Sequence, residues 1–149
     1  MQLMYEKLLE ADGIIFGTPV YFWHICAHAK IFIDRTNAIF YPMSLTNKVG
    51  AAIAVATRTG AVEALSFFTQ YFILNHMICA EFVDGLACGR GEIVNDVHTM
   101  KASKELGRQV GLLIKLKNRF PEEYDIPLYR FVQKKYGVPE DVWRSRGET

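Results

Sequence analysis

Residues 12–36 read DGIIFGTPVYFWHICAHAKIFIDRT, and this stretch decides the fold. The apolar run Gly13–Gly17 predicts a strand, and the aromatic segment Thr18–Trp23 predicts a loop. A helix is predicted next, from Ile25 to about Ile39, because apolar residues there recur at helical spacing. Strand, turn and helix form half a unit of an open parallel α/β sheet, which binds ligands at the carboxyl ends of its strands. The aromatic segment at that end suits a flat, conjugated ligand.

The rest of the chain repeats this alternation. Further helices are predicted over Met1–Ala11, Ala61 to about Asn75, and Asp96 to about Asn118, and further strands over Lys48–Ala56 and Met77–Val83. The order α-β-α-β-α-β-α favours a parallel sheet with right-handed crossovers. The continuous small apolar run Lys48–Ala56 is typical of a strand covered on both faces. For the helix that begins at Ala61, spacing predicts an inward stripe of Val62, Leu65, Thr69, Phe72 and Ile73.

A family resemblance rests on the same stretch. GIIFGTPVYF followed by AKIFIDRT resembles the third strand, flavin loop and third helix of the NADPH-dependent FMN reductase and iron–sulfur flavoprotein family. The resemblance continues with lower specificity through Asn118. It implies an α/β protein with a flavodoxin-like, three-layer α/β/α parallel sheet that binds FMN. Trp23 and His24 depart from the family, which usually has small residues there.

The resemblance also implies that part of the family's domain is absent. A flavodoxin-like domain has five strands in the spatial order 2-1-3-4-5. The three predicted strands correspond to strands three to five, so residues 1–119 are expected to form an N-terminally truncated domain. Residues 120–149 form a tail of prolines and aromatics. Since large exposed apolar patches usually mark interfaces, we expect this tail to contact a second subunit.

Two segments are expected to meet at one edge of the sheet, because consecutive parallel strands end there. By resemblance they hold the flavin, with apolar contacts from the aromatic segment and donors for the pyrimidine edge from Thr57–Gly60. The expected flavin-binding residues are Thr18, Pro19, Val20, Tyr21, Phe22, Trp23, Thr57, Arg58, Thr59 and Gly60. Two alternatives stay open: the aromatic segment as a hydrophobic plug or subunit interface, and Arg58 as a solvated surface arginine.

The phosphate of FMN presents a difficulty. In the family it is bound by amides and hydroxyls of the loop after strand one, which has no counterpart in this sequence. Losing three charge-assisted hydrogen bonds of about 1.5–3 kcal/mol each would weaken binding at least about a thousandfold. Three alternatives stay open: the chain is a fragment of a longer reading frame, another subunit completes the site, or flavin binding has been lost.

The leading function is an FMN-dependent NAD(P)H oxidoreductase, in which hydride passes from nicotinamide through flavin N5 to an acceptor. The flavin supplies the redox chemistry, so no catalytic side chain is assigned. The alternative is a non-catalytic oligomerisation or binding module on a truncated flavodoxin scaffold. The apolar strand Gly13–Gly17 would be an edge without charge, proline or bulge to protect it. Another copy of the chain, which would make a homo-oligomer, or a separately encoded partner is therefore expected to cover that edge.

Composition excludes other classes of function. The 149 residues are 50% hydrophobic and carry a formal net charge of +1, so neither nucleic acid nor an anionic membrane is an expected partner. With no apolar run of membrane-spanning length and no signal peptide, a soluble cytoplasmic protein is expected. Three widely spaced cysteines make a disulfide framework improbable. His24 and His28 have the spacing of zinc ligands on a helix, but no third ligand accompanies them, so no metal site is expected.

Overall fold

The computed structural model describes residues 2–117 and 119–121. In chain order the elements are α1 (Gln2–Glu10), β1 (Gly13–Tyr21), β2 (His24–Ile25), α2 (Ala27–Arg35), α3 (Asn37–Phe40), β3 (Val49–Ala56), α4 (Ala61–Leu74), β4 (Ile78–Leu86), a 3₁₀ turn (Glu92–Asn95) and α5 (Val97–Leu116). The predicted alternation of helices and strands is confirmed, with differences at several element ends. Strands β1 and β4 continue to Tyr21 and Leu86 instead of ending at Gly17 and Val83. The short strand β2 was not predicted, and the helix predicted from Ile25 begins at Ala27 and is divided into α2 and α3.

The division of that helix lies at Thr36, which is buried. Its hydroxyl donates a hydrogen bond to the carbonyl oxygen of Ile33 at 2.6 Å and accepts one from the Tyr71 hydroxyl at 2.9 Å. A threonine hydroxyl that bonds the preceding turn competes with regular helical hydrogen bonding. Tyr71 belongs to α4. The position at which α2 ends therefore depends on a contact that the sequence of α2 does not reveal.

The sheet has the order β2-β1-β3-β4. Strands β1, β3 and β4 are parallel, and the two-residue β2 pairs antiparallel with the end of β1, through Val20 with Ile25 and Tyr21 with His24. Helices cover both sides of the parallel strands. The predicted α/β class with a flavodoxin-like arrangement of parallel strands is therefore confirmed.

The larger core lies between the sheet and helices α1, α2 and α4. Small residues of β3 leave room for phenylalanine rings, and Phe16 stacks on Phe68 with centroids 5.2 Å apart. A Cβ on Gly50 would lie 2.7 Å from the ring of Phe72, so this close approach requires glycine. On α4 the buried residues are Ala61, Ala64, Leu65, Phe68 and Phe72.

The predicted stripe of α4 is therefore correct only in part. Leu65 and Phe72 face the sheet, but Val62 and Ile73 are 63% and 62% exposed. The helix is rotated so that the bulky Phe68 fills the space above the alanines of β3. Because α4 has apolar residues on more than one face, their spacing alone does not identify which face is buried.

The other side of the sheet is covered by α5 alone among the described helices. The carboxylate of Asp96 accepts a hydrogen bond from the amide of Thr99 at 3.0 Å, so Asp96 is the N-cap of the helix predicted to begin there. Leu106 and Val110 of α5 pack against Val49, Ala51 and Val83. Beyond this cluster no described helix covers β1 on this side, and Ile15 is 47% exposed.

Most of the outer edge of β1 is left open by the residues that the structure describes. Among the described residues, only Val20 and Tyr21 pair with a strand on that edge. The expected contact between the tail and a second subunit concerns mainly residues 122–149, which lie outside the described residues. Within the described ranges, no helix is both long enough and apolar enough to cross a membrane.

Candidate functional site

A strained hairpin joins β1 to β2. Its two central residues, Phe22 and Trp23, have φ of 48° and 62°, and Tyr21 pairs with His24 on either side of them. Positive φ at both central positions is the type I′ geometry, which normally selects Asn and Gly. Each bulky residue held there costs about 1–2 kcal/mol. Backbone strain of this kind concentrates at functional sites, where the surrounding structure maintains it.

Contacts on both sides of the hairpin hold it in place. Thr18 is buried, and its hydroxyl accepts a hydrogen bond from the amide of Cys26 at 3.2 Å. This bond connects β1 to the start of α2. The imidazole of His24 lies edge-on to the ring of Phe67 on α4, with centroids 5.3 Å apart. The hairpin therefore presents its aromatic side chains outward from a fixed base, and Phe22 is 95% exposed.

Gly60 lies at the end of the loop after β3, where that loop contacts the hairpin. This residue has φ of +93° and precedes the first turn of α4. A Cβ built on it would lie 2.7 Å from the Cα of Trp23 and 3.0 Å from the indole ring. Only glycine tolerates both the backbone conformation and this approach. The two segments predicted to meet at the carboxyl edge of the sheet are thus in backbone contact.

An open cavity of about 330 Å³ lies between these segments. Its size is at the lower end of the range for small-molecule sites. The lining residues are Val20, Tyr21, Phe22, Trp23, Thr57, Arg58 and Thr59. The other three expected residues have different positions: Thr18 is buried beneath the hairpin, Pro19 is exposed elsewhere on β1, and Gly60 supports Trp23 from behind.

The charge at the cavity is positive. Arg58 is exposed, and none of the ion pairs among the described residues involves it. The N-terminus of α4 begins directly after Gly60, and a helix N-terminus carries partial positive charge. A ligand group that is negative, or becomes negative during a reaction, is favoured at this end of the cavity.

The glycine-rich loop after β4 supports the site from one side. The amide of Ala87 donates to the carbonyl oxygen of Ala56 at 3.0 Å, and the sulfur of Cys88 lies 3.8 Å from the carbonyl oxygen of Thr57. The amides of Cys88 and Gly89 bind the carboxylate of Glu92. The loop therefore positions Thr57 without lining the cavity. Sequence reasoning gave no signal for the contact with Thr57, because Cys88 lies 31 residues further along the chain.

Other polar residues that could take part in chemistry form contacts within the fold instead. Asp34 forms an ion pair with Lys30 at 2.5 Å along α2, and the carbonyl oxygen of Arg35 accepts the Tyr5 hydroxyl. In the part of the chain that the structure describes, no three His, Cys, Asp or Glu side chains are grouped as metal ligands.

Comparison with known proteins identifies the family. A family profile described as NADPH-dependent FMN reductase matches residues 1–82. An iron–sulfur flavoprotein of Methanocaldococcus jannaschii is 34% identical in an alignment 121 positions long, which covers 74% of this chain and 63% of that protein. An NAD(P)H dehydrogenase (quinone) of Aromatoleum aromaticum is 39% identical over 71 residues, 47% of this chain and 34% of that one. The chain thus spans less than two thirds of each relative's length.

The fold agrees with this sequence similarity. A flavodoxin, WrbA-like protein from Agrobacterium tumefaciens superimposes with a TM-score of 0.65 at 16% identity, over 77% of this chain and 74% of that one. At such low identity the likeness establishes the flavodoxin-like fold alone. The profile match covers β1 with its aromatic hairpin, β3 and the loop after β3. The profile match and the fold agree on the family. The chain belongs to the NADPH-dependent FMN reductase family.

Proposed function

We propose that this chain binds the isoalloxazine ring of FMN between the hairpin and Thr57–Gly60, as part of an NAD(P)H-dependent oxidoreductase. The observation that carries this proposal is the cavity itself, built from two aromatic residues at positive φ and closed by Gly60 behind Trp23. Such strain is retained where the geometry has a use. The residues that line the cavity would hold the flavin ring, and FMN would supply the redox chemistry between a nicotinamide and an acceptor.

The residues of the cavity fit a flavin ring in both shape and charge. Tyr21 and Trp23 are 63% and 54% exposed and offer apolar surfaces for a planar ring. Arg58 and the first amides of α4 supply positive charge for the pyrimidine edge, where reduced flavin becomes negative. No acid or base from the protein is required, so the role of these residues is to bind and orient the ring.

The phosphate of FMN requires a further binding element. The residues that line the cavity include one cation and no glycine-rich phosphate loop. We propose that a strand with its following loop pairs with the open edge of β1 and binds the phosphate. A preceding part of a longer chain, a second copy of the chain, or a separate partner would supply it. The open edge at Gly13–Pro19 supports this proposal, because such an edge is a ready template for another strand.

Flavin titration of the purified protein tests the ring site. We expect riboflavin and FMN to bind and to develop the visible absorbance of oxidised flavin, and Arg58→Ala to weaken both ligands. Arg35→Ala is the matched control, because that exposed arginine lies at the end of α2, away from the cavity. If neither flavin binds, or if Arg58→Ala binds both as tightly as the parent protein, the proposed ring site is wrong.

Comparison of the two ligands tests the phosphate element separately. Three phosphate contacts of about 1.5–3 kcal/mol each correspond to at least about a thousandfold preference for FMN over riboflavin. We expect this preference in the assembled protein and its loss when the assembly is diluted into single chains. A preference that persists in single chains would place the phosphate contacts within the chain itself. Oxidation of NAD(P)H by the FMN-loaded assembly would then establish catalysis.

The second candidate is a non-catalytic binding module. The observation that favours it is the open edge of β1 together with the exposed Ile15, a surface suited to another polypeptide whether or not flavin is present. An assembly that forms normally and never takes up flavin would support this alternative over the oxidoreductase.

A further inference from the structure

His24 does not line the candidate flavin cavity, but it lies directly beside it. It follows Trp23 in the hairpin, and Trp23 and His24 are the two residues that depart from the family resemblance. Within the described ranges, no group of three metal-ligating side chains includes His24. Its imidazole instead contacts the ring of Phe67 on α4, with centroids 5.3 Å apart and an interplanar angle of 64°. The contact is therefore explained by packing at the hairpin and not by metal binding.

Phe67 offers the imidazole a fixed surface. The ring of Phe67 lies edge-on to that of Phe68, with centroids 6.0 Å apart, and Phe68 is fully buried in the larger core. From α2, Nζ of Lys30 lies 5.9 Å from the centroid of the Phe67 ring, and a cation over an aromatic ring is attracted to it. Contacts from the core and from α2 thus hold Phe67 in place, and His24 packs on a ring whose position is set independently of the hairpin.

Helix α4 supports the hairpin at two points. Gly60 directly precedes the helix and lies against Trp23, while Phe67 lies in the second turn and contacts His24. Residues two turns apart lie on the same side of a helix. Two consecutive hairpin residues are therefore held against one side of α4, Trp23 through its backbone and His24 through its side chain.

We propose that His24 is a positioning residue, which holds Phe22 and Trp23 at positive φ by packing its imidazole on Phe67. Bulky residues are unfavourable in this conformation, so contacts next to them must offset the backbone strain. His24 is placed to do so, because it pairs with Tyr21 at the base of the two-residue turn. Without the imidazole, the turn relaxes to negative φ and Trp23 leaves the wall of the cavity. This consequence for ligand binding rests on the proposed flavin site, whereas the effect on φ does not.

Nuclear magnetic resonance of the flavin-free protein tests the role in the hairpin. At positive φ the amide proton of a residue lies close to its own Hα, so a strong Overhauser effect between the two protons reports the conformation. We expect strong effects at Phe22 and Trp23 in the parent protein and in His24→Phe, which keeps an aromatic ring on Phe67. In His24→Ala both effects should weaken. His28→Ala is the matched control, because it removes an exposed histidine of α2 and should leave both effects unchanged.

Riboflavin titration of the same variants tests the consequence for the candidate site. We expect His24→Ala to weaken riboflavin binding about fivefold, the change that the loss of about 1 kcal/mol from one aromatic pair produces. His24→Phe and His28→Ala should bind riboflavin as tightly as the parent protein. In a Phe67→Ala background, His24→Ala should have no further effect, because both substitutions remove the same contact.

The two measurements separate the positioning role from the proposed flavin site. Positive φ retained at Phe22 and Trp23 in His24→Ala would overturn the proposal, as would its loss in His24→Phe or an equal loss in His28→Ala. A riboflavin affinity unchanged by the loss of positive φ would overturn the link to the cavity. Loss of positive φ in His24→Ala, when the parent protein binds no riboflavin, would support the positioning role and overturn the flavin site instead.

Discussion

The two faces of the sheet differ in how completely helices cover them. On the side of α1, α2 and α4, one cluster includes Ile14, Leu65, Phe68 and Phe72. On the side of α5 a much smaller cluster forms around Val110. Adjacent isoleucines of β1 show the contrast, since Ile14 is 8% exposed and Ile15 is 47% exposed. The lesson is that an apolar strand sequence indicates the capacity to be buried, while its neighbours decide which face is buried.

The largest expected effect comes from Phe68, at the centre of the covered face. Phe68→Ala should lower the free energy of unfolding by about 3–5 kcal/mol, because it leaves a cavity among stacked rings. Phe82, which is 50% exposed on β4, is the control, and Phe82→Ala should cost about 1 kcal/mol. Urea unfolding measures both values. Equal losses would mean that the two residues are equally buried in solution.

The next largest effect on stability is expected at Gly60, and Gly91 is its control. Both glycines have positive φ, but Gly60 lies in crowded surroundings and Gly91 in open ones. Gly60→Ala should cost about 1–3 kcal/mol in backbone strain, and should displace Trp23 as well. Gly91 has φ of +79°, but a Cβ there meets no atom within 4 Å, so Gly91→Ala should show the backbone strain alone. Unfolding free energies and flavin titrations of both variants separate the cost of backbone strain from the effect of displacing Trp23. A flavin affinity unchanged in Gly60→Ala would contradict the role given to Trp23.

A smaller effect concerns the ionisable Tyr71 of the covered face. Burial raises the pKa of its hydroxyl, with the hydrogen bond to Thr36 acting in the opposite direction. A raised pKa in the folded state means that stability is complete below the ordinary value of 10.0 and is lost as pH rises through the folded pKa. Tyr71→Phe should cost about 1 kcal/mol at neutral pH and should reduce this alkaline loss. Unfolding at several pH values measures both, and an unchanged alkaline loss would contradict the assignment to Tyr71.

The smallest effect on the stability of a single chain is expected at the open face. Ile15→Lys should change the free energy of unfolding of the single chain by no more than about 0.5 kcal/mol, because the side chain is exposed. The same change should prevent another strand from covering β1, since a charge on an edge blocks pairing.

Amide hydrogen exchange at Ile14–Phe16 gives the readout for that edge. In the parent protein we expect slow exchange at high concentration that becomes fast on dilution, and in Ile15→Lys fast exchange throughout. A monomer whose Ile14–Phe16 amides stay protected at every concentration would show that the edge needs no partner.

The sequence determined the features that depend on local chemistry. Alternating apolar runs predicted the order of helices and strands, the small residues of β3 indicated a central strand, and Asp96 indicated the start of α5. The rule that parallel strands share an edge brought Thr57–Thr59 together with Val20–Trp23 around one cavity.

Tertiary contacts determined the rest, because they join residues far apart in sequence. The hairpin at Phe22–Trp23 lacks the usual Asn-Gly signal, and its position depends on the absence of a Cβ at Gly60. The division between α2 and α3 depends on a hydrogen bond from Tyr71 to Thr36, 35 residues apart. The buried face of α4 and the exposure of Ile15 depend on which helices lie above the sheet. Spacing within a segment carries no information about a partner that the segment meets only in the folded chain.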